Sequence, residues 1–220
     1  MKKISLLILT GLLAACSNSA TSEISKNPME TISLPAPSHK GKVSVEEALK
    51  NRRSYRNFTK EELTDQEISQ ILWATQGLNR NRGRTAPSAG ALYPLEVYVA
   101  LPSGFYHYSP KNHSISLHEE GDKRPAIHKA SLSQGAILNA PAVMIISAVH
   151  QRTAKKYGGR AERYIAIEVG HAAQNAFLQA TAMGLGGVPI GAFNDGALQK
   201  ALTLPEDHEP LYVIPIGHPK

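Results

Sequence analysis

A chain of 220 residues, 42% hydrophobic and 19% charged, has the balance of an ordinary globular protein with one sizeable core. The net charge of +6 falls by two, to +4, when Lys2 and Lys3 of the N-terminal leader are set aside. The basic residues are dispersed, which argues against nucleic acid and favours an anionic ligand or surface, and the single cysteine, Cys16, excludes an internal disulfide framework.

In chain order, the first feature is a leader. Met1, Lys2 and Lys3 form a short basic stretch, and residues 4–13 are apolar but too short to span a bilayer comfortably. Leu13-Ala14-Ala15-Cys16 follows and resembles the bacterial lipobox, in which small residues fit the peptidase and the cysteine thiol takes a diacylglycerol. This implies a signal peptide over residues 1–15, a lipidated Cys16 followed by a flexible Ser/Thr/Asn/Pro-rich tether to residue 42, and a domain over 43–220. The expected location is the cell envelope, lipid-anchored, at the outer membrane or facing the periplasm in a two-membrane cell.

Ser44-Val45-Glu46-Glu47 and Thr64-Asp65-Gln66-Glu67 are capping-box signatures, so helices are expected from Val45 to about Arg52 and from Asp65 to the stop at Gly77. Residues 78–94 read as a loop, 96–101 as a strand, and 104–119 as a hairpin around Ser109-Pro110-Lys111-Asn112. A helix is expected over 122–134 with Pro125 in its first turn, and the apolar run 141–149 suits a strand covered on both faces. After Gly158-Gly159 the longest helix runs over 160–183, closed by Gly184. A tight apolar turn at 186–191, a short helix over 195–202 and a strand over 211–216 complete an α+β or three-layer α/β/α domain.

Three clusters can carry chemistry. Arg52-Arg53-Ser54-Tyr55-Arg56 sets three guanidiniums and a hydroxyl at a helix exit; it is either a phosphate grip or a solvated basic helix end. The small residues Pro87, Ser88, Ala89 and Gly90, ahead of Pro94, would let a flat ring approach the backbone, or form an ordinary loop. Gly186 and Gly187 again permit close approach, but they follow a helix and do not make a dinucleotide fingerprint. Glu168 and His171 form one Glu-x-x-His, where di-iron bundles need two with further carboxylates, so His171 is read as a structural histidine and no metal is expected.

Taken in order, these segments, with Lys156-Tyr157-Gly158-Gly159-Arg160, the 168–175 helix and the terminal Pro215-Ile216-Gly217-His218-Pro219-Lys220, resemble the nitroreductase family over about residues 43–220, most closely its SagB-type branch of azoline dehydrogenases. The resemblance implies an α+β, three-layer α/β/α fold with a central, mostly antiparallel sheet and a long central helix, working as a homodimer with one FMN per subunit at the interface. It implies that Arg52, Arg53, Ser54 and Arg56 hold the phosphate and ribityl chain, joined by Lys220. It further implies that Pro87, Ser88, Ala89 and Gly90 line one side of the isoalloxazine, with Gly186 and Gly187 near its reactive edge. Lys156 and Tyr157 match a pair thought to assist proton removal in the azoline dehydrogenases; the alternative is an exposed loop pair.

The expected activity is therefore flavin-based hydride or electron transfer to or from a small organic molecule, consistent with the absence of any Ser-His-Asp pattern. Peptide azoline oxidation and a non-catalytic flavin-binding or structural lipoprotein are the alternatives. Outside the cytoplasm NAD(P)H is scarce, so a quinone pool or a protein joins it as a candidate electron donor.

Overall fold

The computed structural model describes residues 31–80 and 83–220. The leader and Cys16 lie outside the described residues. Among the described residues no helix is long and apolar enough to cross a membrane.

Both capping signatures form as expected. The Ser44 side chain accepts the Glu47 N–H and starts α1 (Val45–Asn51), and Thr64 and Glu67 exchange reciprocal hydrogen bonds at the head of α2 (Asp65–Gln76). The apolar stripe of α2, Ile68, Ile71 and Leu72, is buried against the sheet.

A seven-stranded sheet forms the middle layer: β1 (Thr31–Ser33), β2 (Leu95–Leu101), β3 (Gly104–Ser109), β4 (Ser114–Glu120), β5 (Ala142–Ala148), β6 (Gly186–Gly187) and β7 (Glu209–Gly217). Its order is β1-β4-β3-β2-β5-β7-β6, and each of these neighbouring pairs is antiparallel. Alternation along the strands divides the core. Val97, Val99, Met144 and Ile146 face α2 and α6 (Ala161–Ala182). Tyr98, Ala100, Val143 and Ile145 face α3 (Arg124–Ala130), α4 (Ala136–Asn139) and α7 (Asp195–Ala201). The result is the expected three-layer α+β architecture with one long helix.

Four segments differ from expectation. The helix expected over 122–134 ends at Ala130, because Leu132 and Ser133 take left-handed φ of 53° and 54°, and α4 starts separately after Gly135. The 186–191 segment is not all turn, since Gly186 and Gly187 pair with β7. Residues 150–157, unassigned from sequence, form α5 (His150–Tyr157), so Lys156 and Tyr157 sit on a helical last turn rather than in a loop. Within the stretch expected as a tether, residues 31–38 are tied to the domain. Ile32 pairs opposite Ile115, the Leu34 N–H donates to the His113 carbonyl at 3.1 Å, and Ser38 exchanges hydrogen bonds with the Gln70 amide at 2.8 and 3.0 Å. Backbone pairing holds this segment although its strand is exposed, and that pairing has no compositional signature.

Candidate functional site

The residues singled out from sequence gather in two places. In the first, the chain leaves α1 extended at Arg52, and the Tyr55 N–H donates to the Gly187 carbonyl at 3.0 Å. Ser54 bridges Gly187 as a short parallel contact, and Phe58 bridges Pro219. A Cβ on Gly186 would fall 2.5 Å from the Tyr55 ring, so this approach requires glycine. The Lys220 N–H donates to the Asn57 carbonyl at 3.2 Å, which brings the C-terminus beside Arg56. Arg52 is half-buried and Arg56 exposed, and neither makes an ion pair among the described residues. Arg53 has a different place: its guanidinium lies 4.6 Å over the Tyr55 ring.

The second place is the 87–93 loop. Ser88 Oγ accepts the Tyr93 N–H at 2.9 Å and closes the loop on itself. Gly90, Ala91 and Tyr93 have φ of 62°, 54° and 47°. For two side-chain-bearing residues this is a strained backbone, costing about 1 kcal/mol each, of the kind that clusters at ligand sites. A Cβ on Gly90 would fall 2.8 Å from the Tyr157 hydroxyl and 2.9 Å from Lys156 Nζ, so the pair read from sequence lies directly against this loop. Arg152 holds α5 there, donating to the Tyr93 carbonyl at 3.1 Å and pairing with Glu96 at 2.5 Å. Burial works to raise the Glu96 carboxyl, but hydrogen bonds from His107 and Arg152 outweigh it and hold it below its ordinary value.

Sequence reasoning passed over Glu168 as a candidate in its own right. It is only 2% exposed, and with Pro87, Ser88, Ala89, Tyr164, Ile167 and His171 it lines a cleft of about 230 Å³. Its signal was present: Ile165, Val169 and Ala172 form the buried stripe of α6, and a carboxylate occupies a stripe position. His171 is solvent-exposed at the edge of this cleft rather than packed at a helix interface. Burial raises the Glu168 carboxyl from 4.5 to about 7, and hydrogen bonding with Ser88 opposes this only in part.

Between those two values the native chain keeps a proton that the unfolded chain has released. Stability therefore falls as pH rises through this window and levels off above about 7. Glu168→Gln cannot ionise and loses this slope. Urea midpoints near pH 5 and about pH 8 check it: the unaltered chain should lose more stability between the two than the variant does.

The two places share α6. Glu168 underlies the 87–93 loop, and the Phe177 ring lies 3.2 Å from where a Gly187 Cβ would be. These residues stand nine apart on one helix, about 13 Å along its axis.

Residues 49–218 match the family described as Nitroreductase family. A protein of Methanocaldococcus jannaschii, provisionally named a nitroreductase, is 44% identical over 184 residues, 80% of this chain and 91% of its own. A crystal structure from Ralstonia eutropha JMP134, also provisionally named a nitroreductase, superposes with a TM-score of 0.79 at 34% identity, covering 86% of this chain and 90% of that one. The fold likeness extends to the NADPH:FMN oxidoreductase of Vibrio harveyi, with a TM-score of 0.60 at 24% identity over 80% of this chain and 69% of that one. The chain belongs to the nitroreductase family of oxidoreductases.

Proposed function

We propose that this chain is an FMN-dependent oxidoreductase that passes hydride or electrons between a donor and a small organic substrate, working as a homodimer. The observation that carries this reading is the convergence of residues 52–56 with Gly186, Gly187 and the C-terminus, with Arg52 and Arg56 left without ion pairs among the described residues. Such guanidiniums suit a phosphate, and the glycine backbone suits a flat ring. The name of the Vibrio harveyi neighbour, an NADPH:FMN oxidoreductase, supports the choice of FMN.

In this reading Arg52, Ser54 and Arg56 hold the phosphate and ribityl chain, with Lys220 beside them. Pro87, Ser88, Ala89 and Gly90 cover one side of the ring, and Gly186 and Gly187 approach it by their backbone. Bound FMN supplies the hydride and electron chemistry. The two half-sites stand apart along α6 within one chain, so a second copy would bring the 87–90 loop of one subunit to the 52–56 segment of the other. The solvent face of α6 suits that contact: Ala166 and Gly170 are small, and Ile167 is 51% exposed. Lipid attachment at Cys16 in the cell envelope belongs to the same proposal and rests on the leader sequence. The seating of Lys156 and Tyr157 against Gly90 favours one second reading, dehydrogenation of a peptide azoline.

The test is the absorbance spectrum of the purified chain, followed by acid release and chromatography. Flavin bands with FMN released support the reading. A colourless chain that stays colourless after incubation with FMN overturns it and leaves a non-catalytic envelope protein.

A further inference from the structure

Glu168 poses a problem that the flavin-holding residues do not answer. It lies in the buried stripe of α6, among Ile165, Val169 and Ala172. A carboxyl in such surroundings persists only if it is paired, fully hydrogen-bonded or protonated. It forms no ion pair among the described residues, and its Oε1 has no hydrogen-bond partner among them. The groups around it are few. Ser88 of the 87–93 loop is its hydrogen-bonding neighbour, and Tyr164 and His171 of α6 line the same cleft. From α5, Tyr157 meets the Tyr164 ring edge-on at 4.9 Å, and Lys156 lies beside Gly90, 5.4 Å from the centre of the Tyr157 ring. Lys156 is exposed and engaged at that ring, so the carboxyl has no paired cation to hold it ionised.

We propose that Glu168 is the proton-exchanging acid of this cleft, serving a ligand that gains an electron pair there and acting through the Ser88 hydroxyl. The inference rests on the flavin reading above. The Ser88 hydroxyl gives its proton to the ligand as it takes the proton of Glu168. The electron pair comes from the reduced flavin as a hydride, which carries the flavin's own proton with it, so the ligand leaves with one hydride and the one proton passed on by Ser88. The carboxylate left behind recovers a proton from water at the exposed His171 edge. Burial holds the acid protonated until it is needed, with a titration point of about 7 that suits exchange near neutral pH.

The test uses the full chain, its Glu168→Gln variant and its Ser88→Ala variant. Flavin absorbance first reports whether each retains FMN. Each holo-chain is then reduced with dithionite, and its reoxidation by 1,4-benzoquinone is followed against pH. The unaltered chain should slow as pH rises through about 7. Glu168→Gln should be roughly 10²-fold slower on the acid side and lose that limb. Ser88→Ala should also be slower on the acid side, because the relaying hydroxyl is gone, and any limb that remains should lie at higher pH, because the hydrogen bond that favours the carboxylate is gone too. The FMN-free unaltered chain should also show an infrared band of a protonated carboxyl near pH 6 that Glu168→Gln lacks. A Glu168→Gln chain that keeps FMN, the limb and the rate overturns the assignment and leaves the flavin reading standing. Should that variant not fold, an unchanged rate and an unmoved limb in Ser88→Ala overturn it instead. An unaltered chain that takes up no FMN even after incubation with it overturns both.

Discussion

Replacing Arg52 and Arg56 together by alanine should weaken FMN binding by about 10³-fold and leave the fold intact. Hydrogen bonds to charged groups contribute about 1.5–3 kcal/mol each, so two guanidiniums facing one phosphate contribute about 4 kcal/mol together. Arg52 is half-buried and Arg56 exposed, and neither supports a core contact, so the chain should melt where it did before. Arg53→Ala is the informative contrast. Its guanidinium is engaged over the Tyr55 ring, so its loss should weaken FMN by less than about tenfold. Flavin fluorescence titrations at low and high salt measure all three chains. Unchanged affinity in the double variant would move the phosphate grip elsewhere in the fold.

Ile145→Ala should cost about 4 kcal/mol of stability and lower Tm by roughly 10 °C. Ile145 is fully buried in β5, which is flanked by β2 and β7 and covered by helices on both faces. Its neighbours come from strands and helices that meet only in the finished fold, so the emptied volume cannot collapse cheaply. Thermal melting by circular dichroism checks the shift. The same substitution at Ile167, exposed on α6, should change the melting of a dilute chain little, while weakening any dimer.

These two substitutions also mark what could be read in advance. The apolar run 141–149 announced β5 because a strand covered on both faces needs no alternation. The caps at Ser44 and Thr64 were equally plain, since each bond closes within three residues. α5 was not legible. Its first turn has no capping side chain, and its position comes from Arg152 reaching the Tyr93 carbonyl and Glu96, far apart in sequence. β1 was hidden for a related reason: an exposed three-residue strand is recruited by the free edge of β4, and its own composition says nothing of that edge.

The site was legible as motifs but not as geometry. Arg52, Ser54 and Arg56 could be picked out as residue types, as could Ser88, Gly90, Lys156, Tyr157, Gly186 and Gly187. That Gly187 meets Tyr55, or that Gly90 makes room for Lys156 and Tyr157, depends on long-range packing. Glu168 escaped because a single Glu-x-x-His was weighed only as a metal motif, when the anomaly was a carboxylate at a buried helix position.

The sharing of α6 by both half-sites makes that helix a ruler as well as a support. Each residue of an α-helix advances about 1.5 Å and turns about 100°. One residue added or removed between Glu168 and Phe177 would change the spacing only slightly. It would, however, rotate one half-site about a quarter turn against the other, swinging either the carboxyl out from under the 87–93 loop or Phe177 away from Gly187. The stretch should therefore accept changes of side chain on its solvent face far more readily than any change of length, and its phase is as much a part of the site as any residue that lines it.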